Sequence, residues 1–279
     1  MIAFRYAILV LLILAASGFA LHVDCPESVP EGEPFLVTVS GAGAGAGLVI
    51  RWLDREIHPQ IIADNDGFTA SALLGVGMRE RLEADSYTLE VEVGDEILRR
   101  FVLREAKAYP EQHLTVEKKY NELSAETLER HRIEKASTRK AMDGISTERH
   151  WTLPLARPVS GDKTSDFGLR RFFNEEPKNP HSGVDLRAAD GDSVFACAAG
   201  HVALTGDHYF AGNSIYINHG DGVISMVFHL SKILVEDGQP LRRGQLIGLA
   251  GSTGRVTGPH VHWGLSLQGQ LVDPLILTD

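Results

Sequence analysis

Short alternating runs of apolar and polar residues dominate most of the chain. Between residues 24 and 104 the stretches "PFLVTVS", "LVIRWLD", "SYTLEVEVG" and "ILRRFVLRE" are rich in Val, Ile, Leu and Tyr and are separated by Gly, Asp and Asn. In "YTLEVEV", Leu89, Val91 and Val93 alternate with Thr88, Glu90 and Glu92, the period of a half-buried antiparallel strand. Several such strands in about eighty residues predict a small immunoglobulin-like sandwich, with Trp52 as a central aromatic. "GAGAGAG", residues 41–47, reads as a flexible loop between strands.

The pattern changes after residue 108. "SAETLERHRIEKASTRKAM" is charged and built of helix formers, with Ser124 placed to cap the start, Glu126 in the first turn and Gly144 at the end. Its apolar face is thin (Leu128, Ile133, Ala136), which predicts a helix lying across a domain surface or bridging two domains. From Trp151 the strand pattern returns, cut by glycine-containing turns, in "SVFACAAG", "HVALTG", "NSIYINHG", "GVISMVFHL", "QLIGLAG" and "HVHWGLSL". That is an antiparallel β domain of ordinary size. The chain is therefore expected to be mainly β: a sandwich over 21–107, a helical connector over 108–150 and a β domain over 151–279.

The first twenty residues differ from everything after them. They carry one cation, Arg5, then an apolar run from Ala7 to Ala16, and close on Gly18 and Ala20. This is the pattern of a secretory signal cleaved after Ala20, and the run is short for a membrane span of about twenty residues. Export follows as the expectation, with no stable membrane span after cleavage. Removing the segment takes the net charge from −10 to −11.

Composition adds two constraints. The chain is 43% hydrophobic and 23% charged over 279 residues, ample for a core. A net charge of −10 sets nucleic-acid binding aside. Two cysteines, Cys25 and Cys197, make neither a disulfide framework nor a Cys-rich zinc site, and their positions in different domains predict unpaired thiols. Cys197 reads as a small buried residue of a strand.

The candidate chemistry lies among the histidines. In "GPHVHWGL", His260 and His262 stand two apart, so an extended chain sends both rings out of one face with Cα atoms about 6.5–7 Å apart. In "PHSGVDL", His181 and Asp185 would be about 13 Å apart on a straight strand. Gly183 lets the chain bend, so that His181 sits on a loop and Asp185 opens a strand. Two imidazoles and one carboxylate suit zinc and leave a position for water. The other histidine of the pair and His229, in "MVFHLS", are then available to move a proton or to steady an oxyanion. His22, His58, His113, His131 and His150 read as surface residues. His201 reads as lying at a strand start, His208 in a loop and His219 in a hairpin turn.

The strings around these residues carry a resemblance. "SDFGLRRFFNEEPKNPHSGVDLRAADGDSVFACAAG", "GNSIYINHGDGVISMVFHLSKILVEDGQPLRRGQLIGLAGSTGRVTGPHVHWGLSLQG" and "VDP" resemble the M23 (LytM/lysostaphin-like) zinc metallopeptidases, in order and spacing, over nearly all of residues 151–279. The family's H-x-x-x-D falls on His181 and Asp185, and its H-x-H on His260 and His262. The resemblance implies zinc on His181, Asp185 and His262, with His229 and His260 unligated and catalytic. It also implies a groove for an extended peptide, cleavage of peptide bonds in bacterial peptidoglycan, and a periplasmic location. Where the family often has Tyr-x-His, this chain has Val227 and Phe228 before His229, which alters the cleft wall. An exported chain of this architecture favours a D-alanyl–diaminopimelate cross-link over pentaglycine. Two alternatives share the same residues: a facial-triad iron oxygenase, and a latent wall-binding or amidase-activating module using the same groove.

Overall fold

In a computed structural model that describes residues 21–78, 85–115 and 124–279, two hydrophobic cores form around two sets of strands. The expected signal segment, residues 1–20, lies outside the described residues, as do 79–84 and 116–123.

The first core is enclosed by two sheets. One runs His22–Asp24, Pro34–Gly41, Phe68–Gly75, Ile61–Ala63 in spatial order. The other runs Ser28–Pro30, Glu96–Glu105, Ser86–Val93, Val49–Trp52, Arg55–Ile57. The alternation read in "YTLEVEV" is realised: Leu89 and Val91 are fully buried while Thr88 is exposed. Trp52 is 1% exposed, wedged edge-on between Phe35 and Tyr87, and its indole N–H donates to the Gly75 carbonyl at 2.9 Å. The glycine-rich stretch connects Pro34–Gly41 to Val49–Trp52, with Gly43, Gly45 and Gly47 at positive φ.

The second core is built on a ten-stranded sheet whose central path is Lys163–Ser165, Val184–Leu186, Val261–Leu267, Val223–Ile233, Gly212–Asn218, Gly200–His208, Pro240–Leu241. Neighbours along this path are antiparallel. Val184, Leu186, Val261, Trp263, Leu265 and Val227 fill the side away from the site and are 2% exposed or less. Cys197 is buried as expected but lies in a bend after the short strand Ser193–Phe195, not in a strand. Both cysteines are free thiols, each belonging to a different core.

The helix Ala125–Met142 is the one α-helix among the described residues, and its start is as expected: the Ser124 side chain accepts from the Thr127 N–H at 3.1 Å. Its C-cap is Asp143, one residue before the expected Gly144. The thin apolar face does not dock, since Leu128 and Ile133 are more than half exposed. Polar contacts hold the helix instead. Arg130 donates to the Asp207 carbonyl at 2.8 Å, and Glu134 accepts from the Tyr209 N–H at 3.0 Å. Near its end, Ala141 and Met142 cover Tyr216, Ile224 and Met226. At its cap, Asp143 pairs with Arg55 of the sandwich at 2.7 Å. The helix thus lies on one sheet, and its C-cap residue reaches the other.

The strand Phe68–Gly75 joins the two halves. Leu73 is buried in the second core, and its carbonyl accepts from the Gln268 amide at 3.1 Å. Arg149 adds a polar clasp: its guanidinium bonds Asp221 at 2.8 Å and Ser71 Oγ at 3.0 Å and lies 4.2 Å above the Trp151 ring.

Candidate metal centre and cleft

Three strands, the loop bearing His181 and the isolated bridge residue His260 bring the five sequence candidates together. Asp185 is the middle residue of Val184–Leu186 and pairs directly with His262 of Val261–Leu267. Side-by-side pairing on antiparallel strands places the two side chains on the same face. His181 lies in the loop before Gly183, as expected. The bend needs glycine at 183, because a Cβ there would meet the Trp263 carbonyl at 2.3 Å and His262 Nε2 at 2.8 Å.

His229 reaches the site by a different route. Strict alternation along Val223–Ile233 would put Phe228 and His229 on opposite faces. The pairing with Gly212–Asn218 shifts register between Asn213 and Ile215, so that Phe228 and His229 oppose a single residue. His229 takes φ 66°, in the left-handed region, and its N–H donates to the Ala211 carbonyl at 2.9 Å. This bulge turns His229 to the side that Phe228 already faces. Its ring then sits 4.9 Å from that of His260 and 6.1 Å from that of His262.

The donor set is tight. His181 Nε2, Asp185 Oδ1 and His262 Nδ1 lie 2.9 to 3.0 Å from one another, and all three residues are buried. Ligand atoms at about 2.0–2.2 Å from a tetrahedral ion are about 3.3–3.6 Å apart, so the triangle needs only a small expansion. The tautomers agree. His181 Nδ1–H donates to the Asp166 carbonyl at 2.7 Å, which leaves Nε2 of a neutral ring without a proton and facing the Asp185 carboxylate. Two lone-pair sites aimed at each other call for a cation between them. These residues fit a divalent metal.

His229 and His260 stand outside that triangle. His229 Nδ1–H donates to the Thr253 carbonyl at 3.0 Å, and His260 Nδ1–H to the Gly258 carbonyl at 2.9 Å. Both rings therefore keep a basic Nε2. His260 Nε2 is 3.7 Å from Asp185 Oδ1, so it looks into the same space.

Burial and neighbouring charge set the protonation. Burial by itself raises the Asp185 pKa, but the close contacts with His181 and His262 outweigh it and hold the carboxyl far below the usual carboxylate range. Burial pushes His262 down. Burial, with repulsion from His262 and His260, pushes His229 down to about 3. The site thus presents a carboxylate at Asp185 and neutral imidazoles at His229 and His262 at neutral pH, the state that metal ligands and proton acceptors require.

Of the two residues expected to alter the cleft wall, Phe228 lies flat against the His262 ring, whereas Val227 faces the other way, into the second core. Sequence reasoning missed the carbonyls of Asp166 and Thr253, which set two tautomers. A backbone carbonyl leaves no signal in side-chain sequence. The remaining histidines are elsewhere. His208, expected in a loop, is the buried last residue of Gly200–His208 and bonds Ser214. His219 does not border the cleft; it is fully buried and bonded to the Ala199 carbonyl and Ser225.

The comparisons with known proteins converge on this region. The model of peptidase family M23 matches residues 179–274, which include all five site residues. Peptidoglycan DD-endopeptidase ShyA of Vibrio cholerae serotype O1 is 46% identical over 113 residues, covering 40% of this chain and 26% of ShyA. DD-carboxypeptidase/endopeptidase Mpg of Neisseria meningitidis serogroup B is 38% identical over 112 residues, covering 40% of this chain and 26% of Mpg. The chain thus spans about a quarter of the length of these curated relatives. A crystal structure from Pseudomonas aeruginosa, assigned to peptidase M23, superimposes with a TM-score of 0.69 at 29% identity, over 88% of this chain and 95% of that one.

Proposed function

We propose that this chain, whose residues 179–274 match the model of peptidase family M23, is a zinc-dependent endopeptidase cutting peptide cross-links of bacterial peptidoglycan. The observation that carries the reading is the triangle of His181, Asp185 and His262 with two basic imidazole nitrogens beside it. A zinc ion held by those three residues would supply Lewis acidity towards a carbonyl oxygen and lower the pKa of water. His229 and His260 do the proton work. Each is locked by a carbonyl at Nδ1, so each offers Nε2 as an acceptor, or as a donor once protonated. One takes a proton from the attacking water and the other hydrogen-bonds the oxyanion that develops on the scissile carbonyl. Phe228 holds His262 in plane, and the burial of His181, Asp185, His229 and His262 strengthens their interactions.

The relatives named as peptidoglycan DD-endopeptidases support a cell-wall peptide as substrate. They also support an extracytoplasmic, periplasmic location, in line with the signal-like residues 1–20. No helix among the described residues is long and apolar enough to cross a membrane. Two separate cores support the division into sandwich, connector and peptidase domain at 21–107, 108–150 and 151–279. The test is direct: incubate the purified chain with isolated peptidoglycan and count newly exposed amines. Release of cross-linked peptides, stopped by a chelator and restored by zinc, is the expected result; wall left intact by the zinc-loaded chain would refute the reading.

A further inference from the structure

Two guanidinium groups gather beside the metal-ligand triangle. Along Arg170–Phe173, alternation puts Arg171 and Phe173 on one face and Arg170 and Phe172 on the other, where Phe172 stacks on His113. Arg171 Nη2 is 3.6 Å from Asp185 Oδ2 and donates to Ser165 Oγ at 3.3 Å, while its buried Nε has no hydrogen-bond partner. Arg255 belongs to the segment leading into His260. Its guanidinium lies 5.7 Å from the centre of the Phe173 ring and 4.4 Å from that of Phe210, and its N–H donates to the Phe210 carbonyl at 3.1 Å. Arg255 thus lies against both Phe173 and Phe210, and the two cations are close enough to repel each other.

The net charge of −10 makes this clustering notable. Asp185 is the one carboxylate within reach of Arg171 in the triangle, and a bound dication would claim it. A dication beside that carboxylate, with the Arg171 guanidinium next to it and Arg255 near Arg171, makes the site positive. We propose that Arg171 and Arg255 form a subsite for a free carboxylate of the substrate, within one or two residues of the scissile bond. This rests on the peptidase reading above. The reach follows from geometry: a guanidinium 3.6 Å from Asp185, plus a charge-assisted hydrogen bond of about 2.8 Å, spans less than two extended residues of about 3.3–3.6 Å each. A bidentate fork suits a carboxylate better than a neutral amide. A cross-link through a diamino acid offers such a group on the carbon next to the scissile nitrogen, and a stem peptide offers one at its C-terminus. A polyglycine bridge offers neither beside its internal bonds.

The experiment measures binding rather than turnover. Full-length, zinc-loaded protein carrying His260→Ala is titrated calorimetrically with a D-alanyl–diaminopimelate cross-linked peptide. Two further forms of that peptide are used, one amidated at the diaminopimelate carboxylate by the bond and one amidated at the stem C-terminus. Amidation at one of these positions is expected to weaken binding about tenfold or more, and the arm that does so identifies the carboxylate. Arg171→Gln should bind the acid as weakly as the amide, Arg255→Gln should lose part of the discrimination, and Arg171→Lys should recover part of it. Equal binding of acid and both amides, or discrimination that survives in the Arg171→Gln, Arg255→Gln double variant, overturns the proposal. In the parent enzyme the same arginine changes should raise KM more than they lower kcat. A chain that leaves peptidoglycan uncut but still separates acid from amide would end the peptidase reading and leave this subsite standing.

Discussion

The rings of Phe228 and His262 lie face to face, their centroids 5.1 Å apart and their planes 6° from parallel. One face of the His262 imidazole is thereby covered, and its Nδ1 is held towards Asp185 and His181 at 3.0 Å. Phe228→Ala removes the plate that sets this orientation. Groups that orient a ligand are worth about 10- to 100-fold in metal affinity. Zinc affinity, measured by competition with a chromophoric chelator, should fall by that order in Phe228→Ala and stay near the parent value in Phe228→Tyr.

The two classes of histidine should separate cleanly. His181→Ala, Asp185→Ala and His262→Ala each remove a corner of the donor triangle and should abolish both bound metal and hydrolysis. His229→Ala and His260→Ala leave that triangle intact. They should retain one zinc by elemental analysis while losing turnover on isolated peptidoglycan by about 10²- to 10⁴-fold. Full activity in either would remove that histidine from the mechanism.

Gly183 stands where the chain passes closest to the strand bearing His262. A methyl group there meets backbone that cannot move without shifting the Val261–Leu267 strand. Gly183→Ala should destabilise the chain by about 1–3 kcal/mol and weaken zinc binding as well. Thermal unfolding, followed with and without zinc, reads both effects.

His219 supplies a pH dependence away from the site. Burial pushes its pKa down to about 4, against the opposing hydrogen bond with the Ala199 carbonyl. The unfolded chain, with an ordinary histidine near 6.5, therefore binds the extra proton first as pH falls. The stabilisation is complete above about pH 6.5 and is lost as pH drops towards 4, a change of roughly 3 kcal/mol at most. Urea midpoints between pH 7 and 4 should fall less steeply in His219→Gln than in the parent. Identical slopes would mean that another group controls the acid limb.

Arg149 should matter more than its place in a connecting segment suggests. It pairs with Asp221, whose side chain is 1% exposed and whose pKa burial raises, and it bonds Ser71 across the contact between the two halves. Arg149→Ala leaves that carboxylate buried without its guanidinium, a loss of about 3–5 kcal/mol. Arg149→Ala with Asp221→Asn should recover part of it in the same denaturation measurement.

Some of this was legible along the chain because it depends on local periods. The alternation in "YTLEVEV" needs only one buried face, the Ser124 cap only three following residues, and the His260–His262 pair only an extended backbone. The bend at Gly183 was also readable, since a histidine and an aspartate four apart can serve one site only if the chain turns between them. The tertiary structure alone decided the rest. Alternation assigns Phe228 and His229 to opposite faces, and it took the register shift against Gly212–Asn218 to bring both to one side. Asp166, Thr253 and Gly258 act through carbonyl oxygens, which every residue carries and no side-chain pattern marks. The helix docks through Arg130 and Glu134 because their partners, the backbone of Asp207 and Tyr209, exist as a surface only after distant strands have paired. A period reports which side of its own element a residue faces. What it then meets depends on how the elements close on one another, and that belongs to the folded chain as a whole.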